Sequence, residues 1–519
     1  MDSDHNLLPA PRDGPANAPR KVHGVALSHG VSQKLRRSQT YVLWAVFGAT
    51  IFMNSLIQWS ASIILRIYWE ASPDYVTKLL KGNHLVYAFA PLVFGRLADA
   101  YSRPISLTVT LLLFVVGCII SAASPNTAAF AVGTIFGSIG MTGIVLLSVL
   151  VVGDHTTLKW RGVALACTYL PTLIVIWAGP ALLVAVAWRW TYGIALIVVF
   201  ILCAPALYLL LSATRSHHAA NPSLSTLQPT RLKDVSSQMD LVGLLIFTLG
   251  FALTEYSSTT VLILRDRHLA EYSPGRIAML VVGLLLIFPG FIIWELYYAS
   301  FPLMPRRVVI RKAVLLAITV SFLFRLASEF TSGNIGTFIP WMWRAGDTGL
   351  FFAAASIAYY ASAPLLGVGY YVTRRYKPFL IIGNVLFIVG CGLWLHAARH
   401  WDPEVDGVFT SKAYLFTTQA LIGIGNIAVD MSVLIGSQAA VTHDDLAIVT
   451  ALVFVWTRVA GSLGSSAAVA IALRFDSDRV KSTISLGLGL GLSILCLILS
   501  LFVPNFVLRD KHNAVETED

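Results

Sequence analysis

Six charged residues stand inside long hydrophobic runs of this chain: Glu255, Glu295, Arg325, Glu329, Asp430 and Arg458. If those runs lie in lipid, each charge costs at least ~2.5 kcal/mol on insertion scales, so each demands a role or a partner. A guanidinium facing a watery cavity can hold an anionic group, and a carboxylate sheltered from water can carry a proton. Arg325 and Glu329 are four residues apart, on one helical face, where they can neutralise each other. Arg458 has no such neighbour in its run and is the best candidate for an anionic group, with Arg325 as the second basic residue of the site. Glu329 and Asp430 are the candidate proton carriers. Counting ~1.5 Å per residue from the helix starts puts both arginines about 20 Å deep, with Asp430 roughly 10 Å closer to the face that bears the tails. Glu255 and Glu295 read as charges turned toward a helix neighbour or an interface.

The first half carries no intramembrane charge of this kind. Its polar candidates are Asn54, Gln58, Trp59, Asn83, His84, Tyr87, Thr142, Tyr169 and Thr172, of which Gln58, Tyr87 and Tyr169 are expected to join the arginines in binding a substrate. No GxxxxGK[ST] run occurs, which disfavours direct ATP drive. The five cysteines all fall in apolar runs and no two share a CxxC spacing, so neither a disulfide framework nor a metal site is expected. With no nucleophile, metal cluster or cofactor motif in view, the expectation is a protein that is not an enzyme and needs no cofactor.

The elements that must position these residues follow from composition. Of 519 residues, 56% are hydrophobic and 12% charged, with a mean hydropathy of +0.73. A soluble enzyme needs roughly 25% charged residues, so this is a membrane protein and the bilayer is its first partner. Fourteen spanning helices of ~21 residues would use roughly 294 positions, about the apolar share available. The fold expected is an all-α membrane protein with 14 transmembrane helices, as two six-helix bundles plus two extra helices. The expected division is a disordered cytosolic tail (1–40), an N-terminal bundle (41–211), a polar linker (212–239), two inserted helices (240–298), a C-terminal bundle (299–503) and a second tail (504–519). The net charge of +10 lacks a water-facing domain on which nucleic acid could sit. Instead Lys34, Arg36 and Arg37, then Arg306, Arg307, Arg311 and Lys312, then Arg374, Arg375 and Lys377 gather on the side of the two tails, which places both termini in the cytosol.

The stretch Gly95-x-Leu97-x-Asp99-x-x-Ser102-Arg103 carries the most specific signal. Gly95 permits close helix approach, and Asp99 at a helix end can meet the positive N-terminus of a helix in the other bundle, shutting one face. A degenerate echo, Gly367 through Lys377, falls after the second helix of the later bundle if two helices are set aside as an insertion.

The first stretch resembles the helix 2 to helix 3 signature of the major facilitator superfamily, with Ser102 where a second glycine is usual. Gly137 to Gly143, Asp154-His155-Thr156-Thr157, Arg161-Gly162, Leu170-Pro171, Gly179-Pro180 and Trp188-Arg189-Trp190 extend the likeness. Asp240 to Leu244, Trp294-Glu295 and Val449-Thr450-Ala451 continue it, and together they are similar to the fourteen-span siderophore-iron (siderochrome) transporters of fungi. The resemblance implies proton-coupled uptake of ferric siderophores or related chelates, so the partners implied are an amphipathic small molecule and protons. It further implies a conformational gate of Gly95, Asp99, Arg103, Asp154, Arg161, Gly179 and Pro180. Two departures stand out: the last external loop, Arg474 to Lys481, is short, and helix 1 has Gln58 and Trp59 where an acidic residue is expected. The alternative is proton-antiport efflux of a secondary metabolite or drug. The expected location is the plasma membrane, or else an internal vesicle membrane.

Overall fold

Long apolar runs fold as helices here because a backbone polar group in lipid has only the chain itself to bond. The computed structural model describes residues 37–67, 73–176, 187–220, 239–263, 274–299, 301–333, 345–400, 411–474 and 478–511. The expected N-terminal tail up to residue 36, linker residues 221–238, the Gly179-Pro180 pair and residues 512–519 lie outside them. The first half contains α1 (Arg37–Ile67), α2 (Pro73–Ala100), α3 (Arg103–Ala122), α4 (Thr127–His155), α5 (Leu158–Tyr169) and α6 (Trp188–Ala220). Then follow α7 (Leu241–Ile263), α8 (Pro274–Leu285, continued to Tyr298 through two π-helical stretches), α9 (Lys312–Ser332) and α10 (Ala345–Thr373). The chain ends with α11 (Lys377–His400), α12 (Lys412–Ala439), α13 (Leu446–Arg474) and α14 (Asp478–Phe502).

Local chemistry sets several of the boundaries. Ser102 is the N-cap of α3, its hydroxyl accepting from the Ile105 amide at 3.4 Å, which gives this position a role that the usual glycine cannot fill. Asn126 caps α4 in the same way at 2.8 Å. The first part of the expected linker is helical: α6 continues to Ala220, since 212–220 contain neither Gly nor Pro and Ser212, Thr214 and Ser216 bond back to carbonyls within the helix. In α8, Pro289 lacks an amide, and the π-helical stretch Leu286–Gly290 forms around it.

Among the described residues, eleven helices are long and apolar enough to cross a membrane, fewer than the fourteen expected. The three helices not among the eleven are α2, α5 and α7; α7 is apolar over Leu241–Ser257 and α5 runs 12 residues before a turn. The described residues form no sheet, only an isolated bridge between Arg375 and Val507.

Two apolar cores organise the packing. One gathers residues of α1 to α4 and α6 together with Leu446, Ala447 and Ala451 from the start of α13; the other gathers α9 to α14 with Phe247 and Phe251 of α7 and Leu158, Ala164, Leu165 and Ala166 of α5. The halves meet along two seams, α2 against α13 and α5 against α10. With α7 and α8 set aside these seams are equivalent by position, as are the close pairs α3–α4 and α11–α12. The inserted α7 lies against α2 and α13. It does so because its Phe247 ring meets Trp456 of α13 at 6.4 Å. We call the face that bears the α2–α3, α4–α5, α10–α11 and α12–α13 connections and the C-terminal segment the tail side.

The α3–α4 contact is close enough that a Cβ at Gly117 would sit 2.2 Å from the Gly137 amide, whereas one at Gly137 would meet nothing within 4 Å. Gly117→Ala should therefore cost about 1–3 kcal/mol of stability by overpacking. Gly137→Ala should be near neutral. The apparent Tm of the purified variants, compared side by side, checks both.

Candidate functional site

A cluster of ions and tyrosines lies where the halves meet. Arg458 of α13 places its guanidinium over the ring of Tyr87 in α2, 5.3 Å from the centroid. A cavity of about 250 Å³ opens beside them, lined by Asn54, Tyr87, Pro91, Thr142, Phe454 and Arg458 among others. One wall belongs to the first half and the other to the second. A cation over a ring gains ~0.5–2 kcal/mol depending on desolvation, enough to hold the arginine in place while leaving it available to an anion.

Arg325 and Glu329 form the pair their spacing suggests, 2.5 Å apart on α9. They reach α13 because Gly461 has no side chain: a Cβ there would lie 3.3 Å from Arg325 Nε. Asp430 of α12 accepts a hydrogen bond from the Tyr359 hydroxyl at 3.1 Å. It lies within electrostatic range of both arginines, and of Tyr169 and Tyr360. Asp430 is therefore grouped electrostatically with Arg325 and Arg458. Among the described side chains the cluster holds two guanidinium groups and two carboxylates, so it is neutral by count when all are ionised.

Of the expected binding residues, Arg458 and Tyr87 line the cavity, and Arg325 and Tyr169 join the cluster around it. Gln58 is on α1, one turn beyond the cavity-lining Asn54, and its side chain lies outside the described ones, as do those of Trp59 and His84. Sequence reasoning missed Tyr359 and Tyr360. A pair of adjacent tyrosines in the middle of an apolar run was the available signal, since a buried phenol needs a partner.

Charges on the tail side form a second network. Arg103 donates to Asp99 at 2.6 Å and to Asp154 at 3.0 Å, and Asp154 is completely buried. Asp154 also faces His443 Nε2 at 3.3 Å, an ion pair when the imidazole is protonated. His443 belongs to the turn that starts α13, so this is the contact that crosses between halves. Asp99 is paired with Arg103, one turn along in the same half. Gly95 fits against Ala451, and Gly153 against Leu446, at 3.4 and 3.1 Å from a notional Cβ. Arg161 donates to the carbonyls of Gly153 and Thr156 at 3.0 and 3.3 Å, which holds the α4–α5 turn. At the other seam Gly162 lies under Tyr370, 2.7 Å from a notional Cβ, and Trp160 packs on Tyr371 at 4.5 Å between centroids. Arg307 pairs with the buried Asp445 at 2.8 Å. Both seams are closed on the tail side.

The two carboxylates of the inserted pair are also engaged. The Ser462 hydroxyl of α13 donates to Glu255, and Glu295 accepts from the Met304 amide at 2.8 Å. Asp240, in a left-handed conformation at φ 42°, accepts from the Gly243 amide and the Trp294 indole at 3.1 and 3.0 Å. Among the described residues no group of His, Cys, Asp and Glu is arranged to hold a metal ion, and the cysteines are free thiols.

Comparison with known proteins bears on this arrangement. A siderophore transporter of Zymoseptoria tritici is 29% identical over 470 residues, 83% of this chain and 68% of that protein. A low affinity heme transporter of Schizosaccharomyces pombe is 29% identical over 80% of this chain and 68% of its own length. A siderophore transporter of Mycosarcoma maydis is 28% identical over 73% of this chain and 60% of its own length. In fold, the chain is similar to the proton:xylose symporter XylE, with a TM-score of 0.59 at 12% identity over 93% of this chain and 98% of that one. A peptide transporter POT gives 0.58 at 15% identity, covering 92% and 98%. The family model of the Major Facilitator Superfamily matches residues 43–332, more than half of the sequence, and by that match the chain belongs to this superfamily of transporters.

Proposed function

We propose that this transporter takes up ferric siderophores or related iron chelates together with protons. In this reading α2, α5 and α7 complete a set of fourteen spans. Residues 41–211 and 299–503 act as the two moving bundles, 212–239 as their linker, and 240–298 as an inserted pair. Lys and Arg clusters on the tail side argue that this side is cytosolic, hence that both termini are, in a plasma-membrane protein. The relatives named for siderophore and heme transport support an iron chelate as cargo.

The observation that carries the reading is the Arg458 guanidinium over Tyr87, at a cavity walled by both halves. A site shared in this way can open to one side or the other as the halves rock. Charge count supplies the coupling. When Asp430 or Glu329 takes up a proton, one guanidinium loses its counter-charge, and a buried unpaired charge is strongly unfavourable. An anionic oxygen of the chelate restores the balance at Arg458. Proton and chelate thus favour each other's binding, the reciprocal linkage that symport requires. Arg103 with Asp99 and Asp154 stabilises the state closed to the cytosol, and Tyr87, Tyr169, Tyr359 and Tyr360 present rings and hydroxyls to the organic part of the cargo.

In proteoliposomes with an inward proton gradient, the wild-type chain should accumulate labelled ferric siderophore. Arg458→Ala should lower uptake by about 10- to 100-fold, as expected for losing a charged contact worth ~1.4–3 kcal/mol. Glu329→Gln should keep counterflow exchange while losing gradient-driven accumulation. Unchanged accumulation in both variants removes the site assignment, and gradient-driven extrusion in place of uptake makes the protein an exporter. Arg103→Ala strands Asp99 and Asp154 without their shared partner and should cost ~3–5 kcal/mol of stability. Adding Asp154→Asn to that variant should recover part of the loss in chemical denaturation; no recovery indicates that Arg103 acts through packing instead.

A further inference from the structure

The segment after α14 does not leave the protein. Val503 and Leu508 are buried in the core of the second half, and Leu508 is wholly inaccessible. The Tyr376 hydroxyl donates to the Pro504 carbonyl, Arg375 donates to the Asn505 carbonyl at 3.0 Å, and Lys377 donates to the Leu501 carbonyl at 2.7 Å. Val507 bridges Arg375 in antiparallel fashion, and the Leu508 amide donates to the Arg374 carbonyl at 3.0 Å. To this point every contact lies within the second half, at the α10–α11 turn.

The next three residues cross to the first half. The Leu158 amide donates to the Lys511 carbonyl at 2.9 Å, and the Lys159 amide to the Arg509 carbonyl at 3.2 Å. Lys159 Nζ meets Asp510 at 3.3 Å while lying over the Tyr371 ring of α10 at 4.9 Å. Leu158 and Lys159 are the first residues of α5, whose opening amides have no acceptor within the helix. The N-cap position, Thr157, makes no side-chain cap. The carbonyls of Arg509 and Lys511 thus do for α5 what a capping side chain does for other helices. A helix end of one half is completed by backbone from the other, at the tail-side mouth of the α5–α10 seam.

We infer that residues 509–511 are a strap that docks on the N-terminus of α5 and holds the tail side shut. This rests on the alternating-access reading above. Opening the tail side requires α5 to part from α10, and the strap is anchored more firmly to the second half, so it is the α5 contacts that break. Strap release is then a step of every cycle, and the last described residues of the chain set the balance between the two states.

The test uses Ala447→Cys, a buried position of α13 inside the core of the first half, in a Cys167→Ser background because Cys167 is the exposed thiol. The full-length chain in lipid nanodiscs is labelled with a hydrophilic maleimide. Ending the chain after Leu508 should speed labelling at least about fivefold, given the two backbone hydrogen bonds and one ion pair removed. Ending it after Lys511 should leave the rate unchanged. Equal rates for both truncations, in protein whose labelling still responds to ferric siderophore, overturn the strap and leave the transport reading intact. Labelling that never responds to the chelate overturns both. As a second measurement, Lys159→Cys with Asp510→Cys, oxidised to a disulfide in the otherwise full chain, should stop transport until reductant is added. Undiminished transport in the cross-linked protein rules the strap out even if the truncations fold poorly.

Discussion

Charge held between two apolar bodies is the constraint on which this structure depends. Each ion buried in the protein must find a partner or water, because the effective penalty for leaving it bare is several kcal/mol. The second half places its ions at the seam, and the first half answers with rings and hydroxyls: Tyr87 under Arg458, Tyr169 near Asp430. Neutrality therefore belongs to the cluster as a whole.

The tail side uses the same currency for a different purpose. Asp154 is shared by Arg103 of its own half and His443 of the other, so one carboxylate links the α2–α3 turn to the start of α13. Small residues make this closure possible. Gly95, Gly153 and Gly162 let Ala451, Leu446 and Tyr370 of the opposite half approach the helices directly. The two seams differ in their finish, however. At α2–α13 the closure is ionic and buried; at α5–α10 it is aromatic and capped by backbone from the C-terminal segment.

Much of this is legible in the sequence, for definable reasons. Hydropathy and charge pattern are local properties of a helix in lipid, so the membrane class and the helix order follow from them, and the chain is a transporter of the superfamily its helix 2 signature resembles. The Arg325–Glu329 pair is legible because it depends only on the helical repeat. What the sequence does not disclose depends on how helices tilt and slide against each other. Tyr359 donates to Asp430 across two helices, and His443 reaches Asp154 only because α13 starts beside α4. The strap is invisible for the same reason: nothing in the run from Val503 to Lys511 announces that its carbonyls complete a helix far away along the chain.

The central claim is that a watery cavity between the halves opens to each side in turn. Asn54→Cys, on its wall, tests this most directly when treated with a membrane-impermeant thiol reagent in right-side-out and in inverted vesicles, in the Cys167→Ser background. The account predicts modification from both faces, slowed in each case by bound ferric siderophore. A cysteine that reacts from neither face, or from one face regardless of cargo, would contradict it.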